Sequence, residues 1–161
     1  MFKKKFFEDG FVSNIAILDK NTAKKIAEEY INFNSRCNKR HLSVEHKSKT
    51  HLFFEWANKI IHDEKIKSMV AEIIGPNYYC WNSLIFFKKP RSKNFVSMHQ
   101  DQNYWGIEND KALTVSLALT DSNIKNGCIK LLPKSHLKKF EHKDFFSMHN
   151  MLARGQSVFL K

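Results

Sequence analysis

Arginine is scarce in this chain of 161 residues: four stand against 23 lysines. The formal charge is +11 at pH 7, and a basic chain is a candidate for nucleic acid or an anionic surface. A base-reading surface favours arginine for its bidentate fork, and no nucleic-acid signature is present. The scattered lysines belong to a general bias toward Lys, Asn, Ile and Phe, so nucleic acid is set aside as the main partner. Cysteine is sparse too. Cys37, Cys80 and Cys128 are odd in number and lack Cys-x-x-Cys spacing, which argues against a disulfide framework or a zinc knuckle and suits reduced thiols in the cytoplasm. No apolar run approaches the ~20 residues needed to span a bilayer. The opening Met-Phe-Lys-Lys-Lys-Phe-Phe-Glu-Asp-Gly has no apolar core or cleavage site behind it, so neither a signal peptide nor a membrane partner is expected.

What is present is enough apolar material for one domain with a real core: 42% hydrophobic residues, including 14 phenylalanines. Phe6 to Phe11 and Val12 to Leu18 read as a turn and strand that open it. Asp19 or Asn21 can cap a helix whose Ala23, Ile26, Ala27, Tyr30 and Phe33 share a face. Asn34 to Lys49, with His41 and His46, reads as a basic surface loop. Leu52, Phe53, Trp56 and Ile60 are at helical spacing, and Asp63 caps a further helix bearing Ile66, Met69, Val70, Ile73 and Ile74, ended by Gly75-Pro76. From Tyr78 the period changes, and β-branched or aromatic runs alternate with turn residues. Asn126-Gly127 is a turn that tolerates positive φ, and Met151 to Leu160, around Arg154-Gly155, reads as a turn into another strand. The outline is a helical part over 1–77 followed by a β part over 78–161, for which a jelly roll with packing helices is the fitting architecture.

The chemistry concentrates in Phe95-Val-Ser-Met-His-Gln-Asp101. In an extended segment His99 and Asp101 point to one side and Gln100 to the other. One neutral nitrogen and one anionic oxygen are two members of the 2-His-1-carboxylate face that holds non-heme Fe(II) with positions left open. A His-x-Asp on its own is more often a pair of surface polar residues. Tyr104 and Trp105 follow directly, as walls of a substrate pocket or as ordinary core.

The order Tyr78–Phe87, Lys88-Lys89-Pro90, His99-x-Asp101, Leu113–Thr120, Asn126-Gly127-Cys128 and Leu131-Leu-Pro-Lys-Ser-His136 resembles the phytanoyl-CoA dioxygenase family, which includes the ectoine-type hydroxylases. The likeness runs from about Phe6 to the last residue, with Lys134 where the family usually has glycine. It implies a double-stranded β-helix (jelly roll, cupin-like) with Fe(II) as cofactor, 2-oxoglutarate and O2 as cosubstrates, and a small organic substrate to be hydroxylated. Halogenating relatives replace the carboxylate at Asp101, so its presence implies hydroxylation. The resemblance also implies that Ser116, Gln100 and Ser83 touch 2-oxoglutarate; the other reading of Ser116 is a strand residue facing solvent. The family's second histidine and its arginine for 2-oxoglutarate fall beyond Gly155–Phe159, so the resemblance implies a C-terminally truncated chain. His136, His142 and His149 remain as candidate third ligands, although His136 sits in a turn that is structural in the family. The alternative is a non-catalytic jelly-roll domain that binds an anionic partner through its basic surface.

Overall fold

A computed structural model of the protein describes residues 2–39, 47–105, 111–144, 146–152 and 156–158. The chain opens with helix α1, Phe2–Asp9, where a turn and strand were expected. It stops at Gly10, whose φ of +86° lets its N–H reach back to the Phe6 carbonyl at 2.7 Å. Residues 11–18 then carry no regular structure. Helix α2, Lys20–Lys39, begins where the Asp19 carboxylate accepts from the backbone N–H groups of Asn21 and Thr22 at 2.9 and 3.0 Å. It runs past the loop expected from Asn34: its buried face continues from Ile26, Ala27 and Tyr30 through Asn34 to Cys37. Asn34 is polar, so it hid the continuation. The loop histidines His41 and His46 lie outside the described residues.

A 3-10 turn at Thr50–Leu52 leads into α3, Glu55–Ile61. The expected face does not survive here. Leu52 and Phe53 are 68% and 57% exposed, and Phe54 and Ala57 are buried instead. Phe54 is the extended cap residue of α3, so the residues before it are out of register with those after it. Helix α4, Glu64–Ile74, is capped by the Asp63 carboxylate on the Ile66 N–H at 3.0 Å and ends at Gly75, as its sequence indicated. Helix α1 packs on α4. Among the described residues no helix is long and apolar enough to cross a membrane.

The core gathers Tyr30, Phe54 and Ala57, with Phe33, Trp56, Ile85 and Phe87 packed against them. Edge-on ring contacts join Phe54 to Tyr30 and Phe33 at centroid separations of 5.9 and 5.0 Å. Burial pushes the Tyr30 hydroxyl up to about 12. Over 83–87 the side chains alternate: Ser83, Ile85 and Phe87 turn inward, and Leu84 and Phe86 turn outward.

That alternation is strand-like, but the ladders of a jelly roll are not formed among the described residues. Tyr78–Phe87 makes one antiparallel bridge, Leu84 with Ser48, and the segment 113–119 makes none. The one sheet among the described residues pairs β1, Lys143–Asp144, antiparallel with β2, Gln156–Ser157. Part of the turn expected around Arg154-Gly155 lies outside the described residues. The Asn126-Gly127 turn is present: Asn123 caps a 3-10 turn at Ile124–Asn126, and Gly127 closes it at φ +80°.

Candidate metal centre

The segment before His99 is held from across the fold. Phe95 N–H donates to the His149 carbonyl at 2.9 Å, Met151 N–H to the Phe95 carbonyl at 2.8 Å, and Val158 N–H to the Met98 carbonyl at 2.7 Å. Asn150 adds its side chain, taking the Ser97 N–H at 3.4 Å and donating to the Ser97 hydroxyl at 3.0 Å. On this frame the expected parity holds. His99 Nε2 stands 2.9 Å from Asp101 Oδ1, and the Gln100 side chain leaves in another direction.

The tautomer follows from the second nitrogen. His99 Nδ1 lies 2.7 Å from the Ser97 carbonyl, which can only accept, so Nδ1 carries a proton and Nε2 is the atom turned to the carboxylate. Asp101 and the Ser97 carbonyl raise the imidazole above its ordinary value against the opposing effect of burial. Asp101 is lowered, first by His99 and further by the Thr114 hydroxyl, which donates to its Oδ2. The Nε2–Oδ1 contact is made through a proton on Nε2, and that proton stands where a cation shared by the two atoms would sit. Donor atoms about 2.1 Å from one ion and at right angles stand about 3.0 Å apart, so the observed spacing suits two neighbouring positions on a metal. The donor set fits a divalent transition metal in part: two ligands are present, and among the described residues no group of three His, Cys, Asp or Glu is gathered.

None of the three spare histidines joins the pair. His136 Nε2 is 3.0 Å from the Phe7 carbonyl, its ring lying against Gly10 at the end of α1. His142 Nε2 accepts from the Gln100 N–H at 2.9 Å, and its Nδ1 donates to the Phe140 carbonyl at 3.0 Å, which occupies both nitrogens. The His149 backbone belongs to the frame under Phe95.

The expected cosubstrate contacts divide in the same way. Gln100 donates both amide hydrogens to the Ser135 and Lys138 carbonyls, at 3.0 and 2.8 Å, and accepts from Phe140 N–H at 2.9 Å. It staples the 135–140 loop and is not turned to the pair. The Ser83 hydroxyl is taken by His51, whose N–H and Nδ1 lie 3.0 and 2.6 Å away. Ser116 is exposed, in the segment that supplies Thr114. Trp105 is half-buried in the short helix α5, Gln102–Trp105; Tyr104 shares that helix, and its side chain lies outside the described residues. Thr114 was not singled out from the sequence. The signal that could have found it is its place two residues before Ser116, since residues two apart share a side in an extended run.

The sequence model of the phytanoyl-CoA dioxygenase family matches residues 17–157. This chain belongs to the phytanoyl-CoA dioxygenase family. Members of that family are iron- and 2-oxoglutarate-dependent oxygenases. Among similar proteins is the probable alpha-ketoglutarate-dependent hypophosphite dioxygenase of Stutzerimonas stutzeri, 34% identical over 95 residues, or 58% of this chain and 33% of that protein. Ectoine dioxygenase of Streptomyces coelicolor is 29% identical over 90 residues, 53% of this chain and 30% of the relative. Phytanoyl-CoA dioxygenase domain-containing protein 1 of Mus musculus is 29% identical over 80 residues, 49% of this chain and 28% of the relative. The matched stretch thus spans about a third of the length of these relatives. No solved structure matches.

Proposed function

We propose that this chain carries the iron-binding part of a 2-oxoglutarate-dependent dioxygenase that hydroxylates a small molecule, with His99 and Asp101 as metal ligands. The observation that carries this reading is the 2.9 Å approach of His99 Nε2 to Asp101 Oδ1, with the far side of the imidazole fixed on the Ser97 carbonyl. Iron bound here would couple decarboxylation of 2-oxoglutarate by O2 to hydroxylation of the substrate. The Ser97 carbonyl, by holding Nδ1, would keep Nε2 turned toward an ion bound beside Asp101. Ser116 lies two residues after Thr114, whose hydroxyl donates to Asp101, and that nearness supports it as a cosubstrate contact. Trp105 and Tyr104, directly after the ligands, are the proposed walls on the substrate side. Among the described residues no further His, Cys, Asp or Glu joins the pair.

The architecture we propose is a single domain, a double-stranded β-helix with the helices of 2–74 on its outer face. Support comes from the alternation over 83–87, with Ile85 and Phe87 turned to the core as in a strand covered on one face. Free Cys37, Cys80 and Cys128 support a reducing, cytoplasmic setting. One relative is named for hypophosphite and another for ectoine, so the reading stops at a small molecule. The test is Fe(II)-dependent succinate formation from 2-oxoglutarate by this chain and by His99→Ala. Loss in the variant is expected; equal, nonzero rates would remove His99 from the chemistry.

A further inference from the structure

We propose that Thr114 is a positioning residue that fixes which oxygen of Asp101 is offered to the metal, an inference that rests on the iron-binding reading of His99 and Asp101. An aspartate presents two equivalent oxygens, and rotation about its last bond exchanges them. The Asp101 side chain is 42% exposed, so packing alone does not stop that rotation. The Thr114 hydroxyl does. It reaches Asp101 from a run 13 residues later and donates to Oδ2, while Oδ1 faces His99 Nε2. A carboxylate only accepts, so the threonine must be the donor, and its hydrogen marks Oδ2 as the occupied atom. Threonine is branched at Cβ, with few rotamers, so the hydroxyl is held in place by its own side chain. An ion held by the pair would then meet Asp101 through Oδ1, with the hydrogen bond on Oδ2 disfavouring that oxygen as a further donor atom. The run that holds Thr114 also holds Ser116, so one segment would orient the ligand and meet the cosubstrate.

The test is anaerobic titration of the whole chain with Co(II), read by its visible absorption, with no turnover involved. Thr114→Val keeps the shape and removes the donor; Thr114→Ser keeps the donor. Valine is expected to weaken Co(II) binding by roughly 10- to 100-fold and to change the absorption envelope, with serine restoring both. Thr114 is exposed, so thermal melts of both variants should match the parent. Unchanged binding in Thr114→Val while His99→Ala loses it would overturn this role and leave the metal site standing. A serine variant as weak as the valine one would also overturn it, because the hydroxyl would then not be the cause. Binding in His99→Ala equal to the parent, or none in the parent, removes the iron reading and this inference with it.

Discussion

Lys134 shows how a single backbone angle can contradict a side chain. It sits at φ +63°, in the left-handed region where the family usually has glycine, and still forms the turn into the 3-10 segment Ser135–Leu137. The turn is kept because Lys134 N–H donates to the Asp9 carbonyl at 2.8 Å and the His136 ring lies against Gly10, two ties to the end of α1. A left-handed residue with a Cβ costs about 1–2 kcal/mol, and the extra freedom of glycine in the unfolded chain returns about 0.4–1 of that. Lys134→Gly should therefore stabilise the chain by about 0.5–1 kcal/mol, read as a raised urea midpoint; a lowered midpoint would mean the lysine side chain itself holds the turn. The metal pair is a second case. Asp101 holds His99 above the ordinary imidazole value, His99 holds Asp101 below the usual carboxylate range, and a metal must displace the imidazole proton. Protons and metal compete, so affinity is greatest above the raised imidazole value and falls on acidification by on the order of tenfold per pH unit below it, while Asp101 stays ionised. Co(II) titrations at three pH values between 5 and 8 check the slope, and a flat profile would exclude His99 as a ligand. The His-x-Asp parity was legible because an extended backbone sorts side chains by odd and even positions. Gln100 was half legible: its direction followed from that parity, but its partners 35 to 40 residues away did not.

At the scale of elements, the caps were easier to see than the faces. Asp19 and Asp63 begin α2 and α4 through local hydrogen bonds that depend on residues two or three positions away. Such short-range chemistry is written in consecutive letters. The faces of α2 and α3 depend on what lies opposite, and there the reading slipped: Asn34 closed a helix that continues, and Leu52 and Phe53 took a place that belongs to Phe54 and Ala57. Helix α1 went unseen because its eight residues are short for a helix and bury no side chain fully. The cap of α4 gives a clean test. Asp63→Ala leaves the Ile66 N–H without its acceptor and should cost about 1 kcal/mol, and Asp63→Asn should recover most of it. Urea unfolding followed by circular dichroism measures both. Equal losses in the two variants would assign the effect to charge rather than to the cap bond.

For the molecule as a whole, the helical character of the first part was legible in its period, while the strands expected after Tyr78 are not formed as ladders among the described residues. Alternation reports which sides of a run are apolar, and a ladder depends on a partner far away in the chain. The 83–87 segment makes the distinction physical. Ile85 and Phe87 turn to the core of Tyr30, Phe54 and Ala57, whereas Leu84 and Phe86 are 54% and 58% exposed. The two sides should respond differently to the same loss of apolar surface. Phe54→Ala empties a site surrounded by the rings of Tyr30, Phe33 and Trp56 and should cost about 3–5 kcal/mol. Leu84→Thr with Phe86→Thr keeps β propensity, removes only exposed area and should change stability by less than about 0.5 kcal/mol. The double variant should also bind less of an apolar fluorescent dye than the parent, since it removes two of the exposed apolar side chains. If instead it unfolded at the same urea concentration as Phe54→Ala, the outward side of this segment would be covered in solution, and the exposed pair would have to be redrawn as part of a second buried layer.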